Sequence, residues 1–262
     1  SSCPVFAPLC PVLVYHFNTY QTTEVARIIG VHPNTVRLYE QLHLIPLAKR
    51  QKNGYRIFTD FHIEQFRLAR TALKVEILQN GLRKKAMNII KVSATGNFDM
   101  AIKLTDEYLS QLEREKHNAE QAIQIVNELL NGESSPNQVL LKRKEVSEFL
   151  GITMDTLRNW ELNGLLCVKR KANGYRVYSN DDIKRLRIIK ALRCANYSLS
   201  SILRMLNALS VNPDINIKSV IGMPEENEDI ITACDKLLLS LNDASENARF
   251  MKATLINMKK SF

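Results

Sequence analysis

Three consecutive cations, Lys169, Arg170 and Lys171, precede Asn173 and Gly174, and Tyr175, Arg176, Val177 and Tyr178 follow. The turn pair between two short runs describes a small β-hairpin with a basic tip. Upstream, Arg158 and Asn159 lie opposite the apolar side formed by Leu157 and Trp160. Cations on a hairpin beside a helix that offers donors outward pair with phosphates, which supplies affinity and register but little sequence information. The chemistry of this stretch is therefore recognition of a polyanion. An ordinary solvated charge run is the plainer account of three basic residues by themselves, and the adjoining helices argue against it.

Two short helices must position these groups. Val146, Phe149 and Leu150 recur at helical spacing, and Gly151 stands where a chain leaves a helix through a left-handed conformation. After that turn, Thr153 or Asp155 can cap a second helix whose apolar side is Leu157, Trp160 and Leu165. The second helix is the one expected in a DNA major groove, as in a helix-turn-helix. Base contacts would come from residues such as Thr153 and Asp155, with the cap the favoured role for Asp155.

The same stretch occurs earlier in the chain. Glu24, Val25, Gly30, Thr35, Arg37, Glu40 and Leu44 match Glu145, Val146, Gly151, Thr156, Arg158, Glu161 and Leu165, and Asn53 to Arg56 match Asn173 to Arg176. The offset is 121 residues before the hairpin and 120 within it, so the two copies differ by one small insertion or deletion. His32 and Asn34 are the first copy's candidates for base contact.

Helix, turn, T-[VL]-R-x-[YW]-E, a leucine-rich exit, a basic wing and G-Y-R-[VI]-[YF] resemble the DNA-binding domain of the mercury-resistance regulator (MerR) family, twice in one chain. The resemblance implies Arg37 and Arg158, with Tyr39 and Trp160 nearby, at the DNA backbone. It also implies that Arg50, Arg56, Arg170 and Arg176 clamp flanking phosphates or support the wings. The expected DNA-binding set is completed by Thr35, Lys49, Lys52, Tyr55, Thr156, Asn159, Lys169, Lys171 and Tyr175. Two features depart from the family pattern: Leu38 and Asn159 replace the aromatic that often follows the helix arginine, and His43 replaces the usual glycine at the first copy's helix exit.

Across its 262 residues the chain is 45% hydrophobic and 24% charged, which suits two domains of ordinary size. A net charge of +9 favours a polyanionic partner, double-stranded DNA foremost. Residues 1–18 carry prolines through an apolar run with no basic start, and read as a leader outside both repeats. The remaining organisation is a first winged-helix domain over 19–92, a coiled-coil helix over 99–131, a linker over 132–138, a second winged-helix domain over 139–210 and a second coiled-coil helix over 226–260. Pro213 and Pro224 mark a loop before the last helix. In the first long helix Ile102, Leu109, Ile123 and Leu130 recur at sevens, interrupted by Lys116, with Leu112, Ala119 and Val126 as the complementary series. In the second, Ile230, Leu237, Ala244, Met251 and Met258 pair with Cys234, Leu241, Ala248 and Leu255. The fold class expected is mainly α: two winged helix-turn-helix domains with small hairpin wings, each followed by a long antiparallel coiled-coil helix.

Family members dimerise through such helices, which implies a single-chain pseudo-dimer reading an imperfect inverted repeat, with a homodimer between chains as the other arrangement. RNA polymerase at a promoter is the implied further partner, and activation by twisting an over-long promoter spacer the implied mode. An architectural, chromosome-partition or recombination accessory protein would use the same winged helices. Cys234 has no clustered partner, Cys167 and Cys194 are isolated, and there is no C-x-x-C or histidine pair at ligand spacing, so no metal or cofactor is expected. Phosphate-loop, G-x-S-x-G and H-E-x-x-H patterns are missing, which argues against an enzyme. No run approaches the roughly 18 apolar residues of a membrane span, so a soluble, cytoplasmic protein is expected.

Overall fold

The computed structural model describes residues 18–74, 78–79, 81–131, 140–170, 174–211 and 229–262. The leader up to residue 17, the linker over 132–138, Lys171 and the loop with Pro213 and Pro224 lie outside the described residues. The molecule is mainly α, with two small antiparallel sheets.

Each repeat begins with a strand that its sequence did not announce. In the first, β1 (Thr19–Tyr20) leads into α1 (Thr22–Ile29) and α2 (Pro33–Gln41), then β2 (Lys49–Arg50) and β3 (Arg56–Thr59). In the second, β4 (Leu141–Lys142) precedes α6 (Arg143–Leu150), α7 (Met154–Leu162), β5 (Lys169–Arg170) and β6 (Arg176–Tyr178). The expected hairpin is thus the outer two-thirds of a three-stranded sheet, ordered β1-β3-β2 and β4-β6-β5. A two-residue strand carries no periodicity of its own, which is why sequence pattern passes over it. The first helix of each repeat starts alike: the Gln21 N–H donates to Glu24 at 2.7 Å, and the Lys142 N–H to Glu145 at 2.6 Å. Each ends on a left-handed glycine, Gly30 at φ 75° and Gly151 at φ 63°.

Between the repeats stand α3 (Asp60–Ala72), α4 (Leu82–Ala94) and α5 (Phe98–Leu130), and the chain closes with α8 (Asn180–Cys194), α9 (Leu199–Val211) and α10 (Ile230–Ser261). The two long helices pair with each other within the chain. Lys259 meets Asp99, Lys252 meets Asp106 at 2.7 Å and Arg249 meets Glu113 at 3.7 Å, so one number falls as the other rises and the helices run antiparallel. Each reaches the other repeat: Glu128 of α5 pairs with Lys184 of α8 at 3.1 Å, while Phe262, just past α10, packs against Phe61 of α3 with centroids 5.3 Å apart. One buried cluster accordingly runs from Leu68 through both long helices to Leu186, Ile189 and Met258.

In α10 the residues facing inward are the expected ones: Ile230, Leu237, Ala244, Met251 and Met258, with Cys234, Leu241, Ala248 and Leu255. In α5 the seam is corrected. Thr105, Leu112, Ala119 and Val126 alternate with Ala101, Tyr108, Glu115 and Ala122, whereas Ile102, Leu109, Ile123 and Leu130 are only half-buried beside it. Lys116 lies on that flank and bonds to Glu113, so it interrupts nothing. Phe149, expected on the inner side of α6, is 56% exposed.

Candidate nucleic-acid interface

The recognition helices are held by their inward faces. Val36 is fully buried in the first repeat, and Leu157 in the second, with Trp160 at 4% exposure. Tyr39 is half-buried and stacks on Phe66 at 4.3 Å and 6° between planes. Trp160 and Tyr39 therefore fix the helices from behind. Gln65 donates to the carbonyls of Leu44 (3.0 Å) and Ile90 (2.9 Å), and Arg185 donates to the carbonyl of Leu165 (2.6 Å). Two different side chains thereby secure the same helix exit.

The outward faces differ. In α2, His32 is the N-cap and its Nδ1 accepts the Asn34 N–H at 3.2 Å. Asn34 and Arg37 are exposed, and Arg37 donates to the Asn34 amide oxygen at 3.0 Å. Thr35 is half-buried. In α7 the cap is Thr153, whose Oγ1 accepts the Thr156 N–H at 3.0 Å. The expectation of a cap at Asp155 is corrected: the helix begins at Met154, which puts Asp155 one residue inside it. Asp155, Arg158 and Asn159 are exposed, Thr156 is half-buried, and Asn159 accepts from Asn163.

The wings flank these helices. Lys49 and Arg50 pair with Ile57 and Arg56 across β2 and β3, and Lys169 and Arg170 with Val177 and Arg176 across β5 and β6. Their tips turn through Gly54 at φ 84° and Gly174 at φ 79°, a region that glycine enters without steric cost. Lys52 is exposed, and Tyr55 and Tyr175 are 63% and 68% exposed. Arg37, Lys49, Arg50, Lys52, Arg158, Lys169 and Arg170 enter no ion pair among the described residues. Seven such cations at two wings and two helix faces leave these surfaces strongly positive.

Arg56 and Arg176 are placed otherwise. Arg56 Nε donates to Glu40 at 2.6 Å, and the second Glu40 oxygen accepts the Ala48 N–H at 3.0 Å. Glu161 does more: it takes Arg143 at 2.7 Å, Arg176 at 3.1 Å and the Tyr178 hydroxyl. Burial, together with that contact, pushes the Tyr178 hydroxyl pKa up to about 12. Glu40 is buried and the Glu161 side chain is only 7% exposed, and each ties the end of its recognition helix to its wing. Sequence reading missed this function, although the signal was there: Glu and Arg are kept at matching places in both copies.

The MerR HTH family regulatory protein pattern matches residues 20–84 and 141–209, together just over half of the chain. The chain belongs to the MerR HTH family. Two relatives in this family are a HTH-type transcriptional regulator CueR of Escherichia coli O6:H1, 36% identical over 53 residues, and the HTH-type transcriptional regulator AdhR of Bacillus subtilis, 40% identical over 60 residues. Those alignments take in 20% and 22% of this chain, and 39% and 43% of the relatives. The chain thus spans about two-fifths of the length of the curated relatives it matches. No solved structure matches. Among the described residues no group of three or more His, Cys, Asp or Glu side chains could hold a metal ion, and no helix is long and apolar enough to cross a membrane. Cys194 and Cys234 are buried, which pushes the Cys234 thiol up to about 12 and the Cys194 thiol up as well, while Cys167 is exposed.

Proposed function

We propose that this MerR-family chain is a sequence-specific DNA-binding transcriptional regulator whose two recognition helices read the unequal halves of one imperfect inverted repeat. The carrying observation is the antiparallel pairing of α5 with α10 inside one chain, each ending on the other repeat. That is the geometry of a two-fold dimer with its halves covalently joined. In this reading Asn34, Arg37, Asp155, Arg158 and Asn159 face the groove and its backbone. Lys49, Arg50, Lys52, Lys169 and Arg170 hold flanking phosphates, with Lys171 beside them in sequence. Arg56 and Arg176 act one step back, as wing supports. RNA polymerase at the promoter is the proposed partner.

Selection of fragments from sheared genomic DNA by the purified protein, sequenced after retention at near-physiological salt, tests this. An inverted motif with two different halves is expected. A single half-site would mean that one repeat has become structural. Tight binding without any enriched motif would transfer the protein to the architectural class.

A further inference from the structure

A cleft of about 870 Å³ opens beside the middle of α5, walled by the end of α6, by α8 and by Lys85 of α4. Volumes of that order hold metabolite-sized ligands. Its charges are not balanced from within. Glu113 is paired with Lys116 at 3.2 Å and Arg249 at 3.7 Å, and Glu148 with Lys144 at 3.9 Å, all three partners standing off the wall. The third wall carboxylate, Glu115, is 5% exposed in the helix seam. Lys85, Arg114, Arg187 and Lys190 line the same cleft and enter no ion pair among the described residues.

Arg187 is the centre of the wall. Its guanidinium donates to Gln121 and lies over the ring of Phe149, 4.9 Å from the centroid. It is half-buried, and loss of water lowers its pKa from the usual value. A guanidinium withdrawn from water without a carboxylate is costly unless an anion completes it. Phe149 meanwhile shows 56% of its surface, a flat apolar face beside that charge.

We propose that this cleft binds a small anion carrying a flat ring, of nucleoside-monophosphate size, with its phosphate or carboxylate on Arg187, Lys190, Arg114 and Lys85 and its ring against Phe149. The occupant would be an effector. Phe149 and Leu150 end α6, and Gly151 turns the chain toward α7, so a ligand held between α5 and α6 sets the angle of the second recognition helix to the coiled coil. This regulatory half rests on the proposed function, whereas the binding site does not.

The test is calorimetric titration of the full chain, without DNA, using AMP, ribose 5-phosphate and adenosine as probes. AMP is expected to bind, ribose 5-phosphate about tenfold more weakly, and adenosine not detectably. Phe149→Ala should bring AMP down to the level of ribose 5-phosphate. The exposed pair Lys85→Gln with Arg114→Gln, which leaves the packing untouched, and separately Arg187→Gln, should each weaken AMP by about tenfold or more. No binding of AMP at millimolar concentration overturns the site, as does AMP binding indifferent to the Lys85/Arg114 pair. AMP that binds yet leaves affinity for a selected DNA fragment unchanged overturns the effector role alone. Failure to bind any DNA would instead remove the proposed function and leave the calorimetry standing.

Discussion

Arg37 and Arg158 hold matching places in the two recognition helices, yet Asn34 braces the first while Asp155 stands one turn before the second. Under the proposed function, reversing either charge would remove a phosphate contact worth roughly 1.5 to 3 kcal/mol. Arg158→Glu is therefore expected to weaken DNA binding at least about tenfold by fluorescence anisotropy, and Arg37→Glu asks the same of the first repeat. Unchanged binding in a folded Arg158→Glu protein removes that repeat from the interface. His43 is a second residue to test, because it sits at φ 57° where Gly164 of the other copy sits at φ 75°. A side chain in the left-handed region is strained and glycine is not, so His43→Gly should raise unfolding stability by about 0.5 to 1 kcal/mol, read from urea denaturation. The left-handed position was legible as a departure from the family glycine. The buried role of Glu40 and Glu161 was not, since a carboxylate inside an ion pair and one in water have the same letter. For Arg56 and Arg176 the sequence left phosphate clamp and wing support side by side, and only the partner glutamates favour the support.

Wings and caps make the next level, where the two copies solve one problem with unequal parts. Glu161 gathers two cations and a tyrosine hydroxyl from β6 and α6, while Glu40 holds one cation and one backbone N–H. Removing a buried acceptor strands its donors, at about 2 to 3 kcal/mol for such a cluster. Glu161→Ala should thus lower stability by about that much in denaturant melts, more than Glu40→Ala, and loosen the second wing; equal losses would deny the network its larger role. The caps of α3 and α8 differ in kind. The Thr59 N–H donates to His62 Nδ1 at 3.0 Å, whereas the Ser179 N–H donates to Asp182 at 2.8 Å. Burial lowers the His62 pKa below its usual 6.5, so the unfolded chain takes up the proton first. Its contribution is then full above that usual value and is lost as pH falls through the folded one. Wild type should lose stability on acidification in that window relative to His62→Asp, and parallel curves would refute it. The long helices show how far period alone carries. Every inner position of α10 is small or apolar, so its face was readable. The face of α5 includes Thr105, Tyr108 and Glu115 because this helix also meets α4 and α8, and its apolar arc is wider than one seam. Counting sevens placed Leu112, Ala119 and Val126 correctly, and for the other line picked the greasiest residues on that arc, one position from the true ones.

For the whole molecule, the pairing of α5 with α10 sets the expected particle. If both partners belong to one chain, ultracentrifugation should give 29.9 kDa, and the melting temperature should not move on dilution. A stable dimer bearing four winged helices, or a midpoint that falls on dilution, would assign the helices to different chains. The repeat, the class of fold and the existence of two long helices were all visible as self-similarity and period. Which helix partners which was not, because the ion pairs that fix the register join residues as far apart in sequence as Asp106 and Lys252, or Asp99 and Lys259. The tether has a consequence for dose. A two-chain regulator assembles at a rate set by the square of its concentration, and becomes incomplete when the cell holds only a few copies. Joined halves meet at an effective concentration of the millimolar order, whatever the supply. In the proposed pseudo-dimer, occupancy of an operator would then rise in simple proportion to the number of chains, with no assembly step before reading.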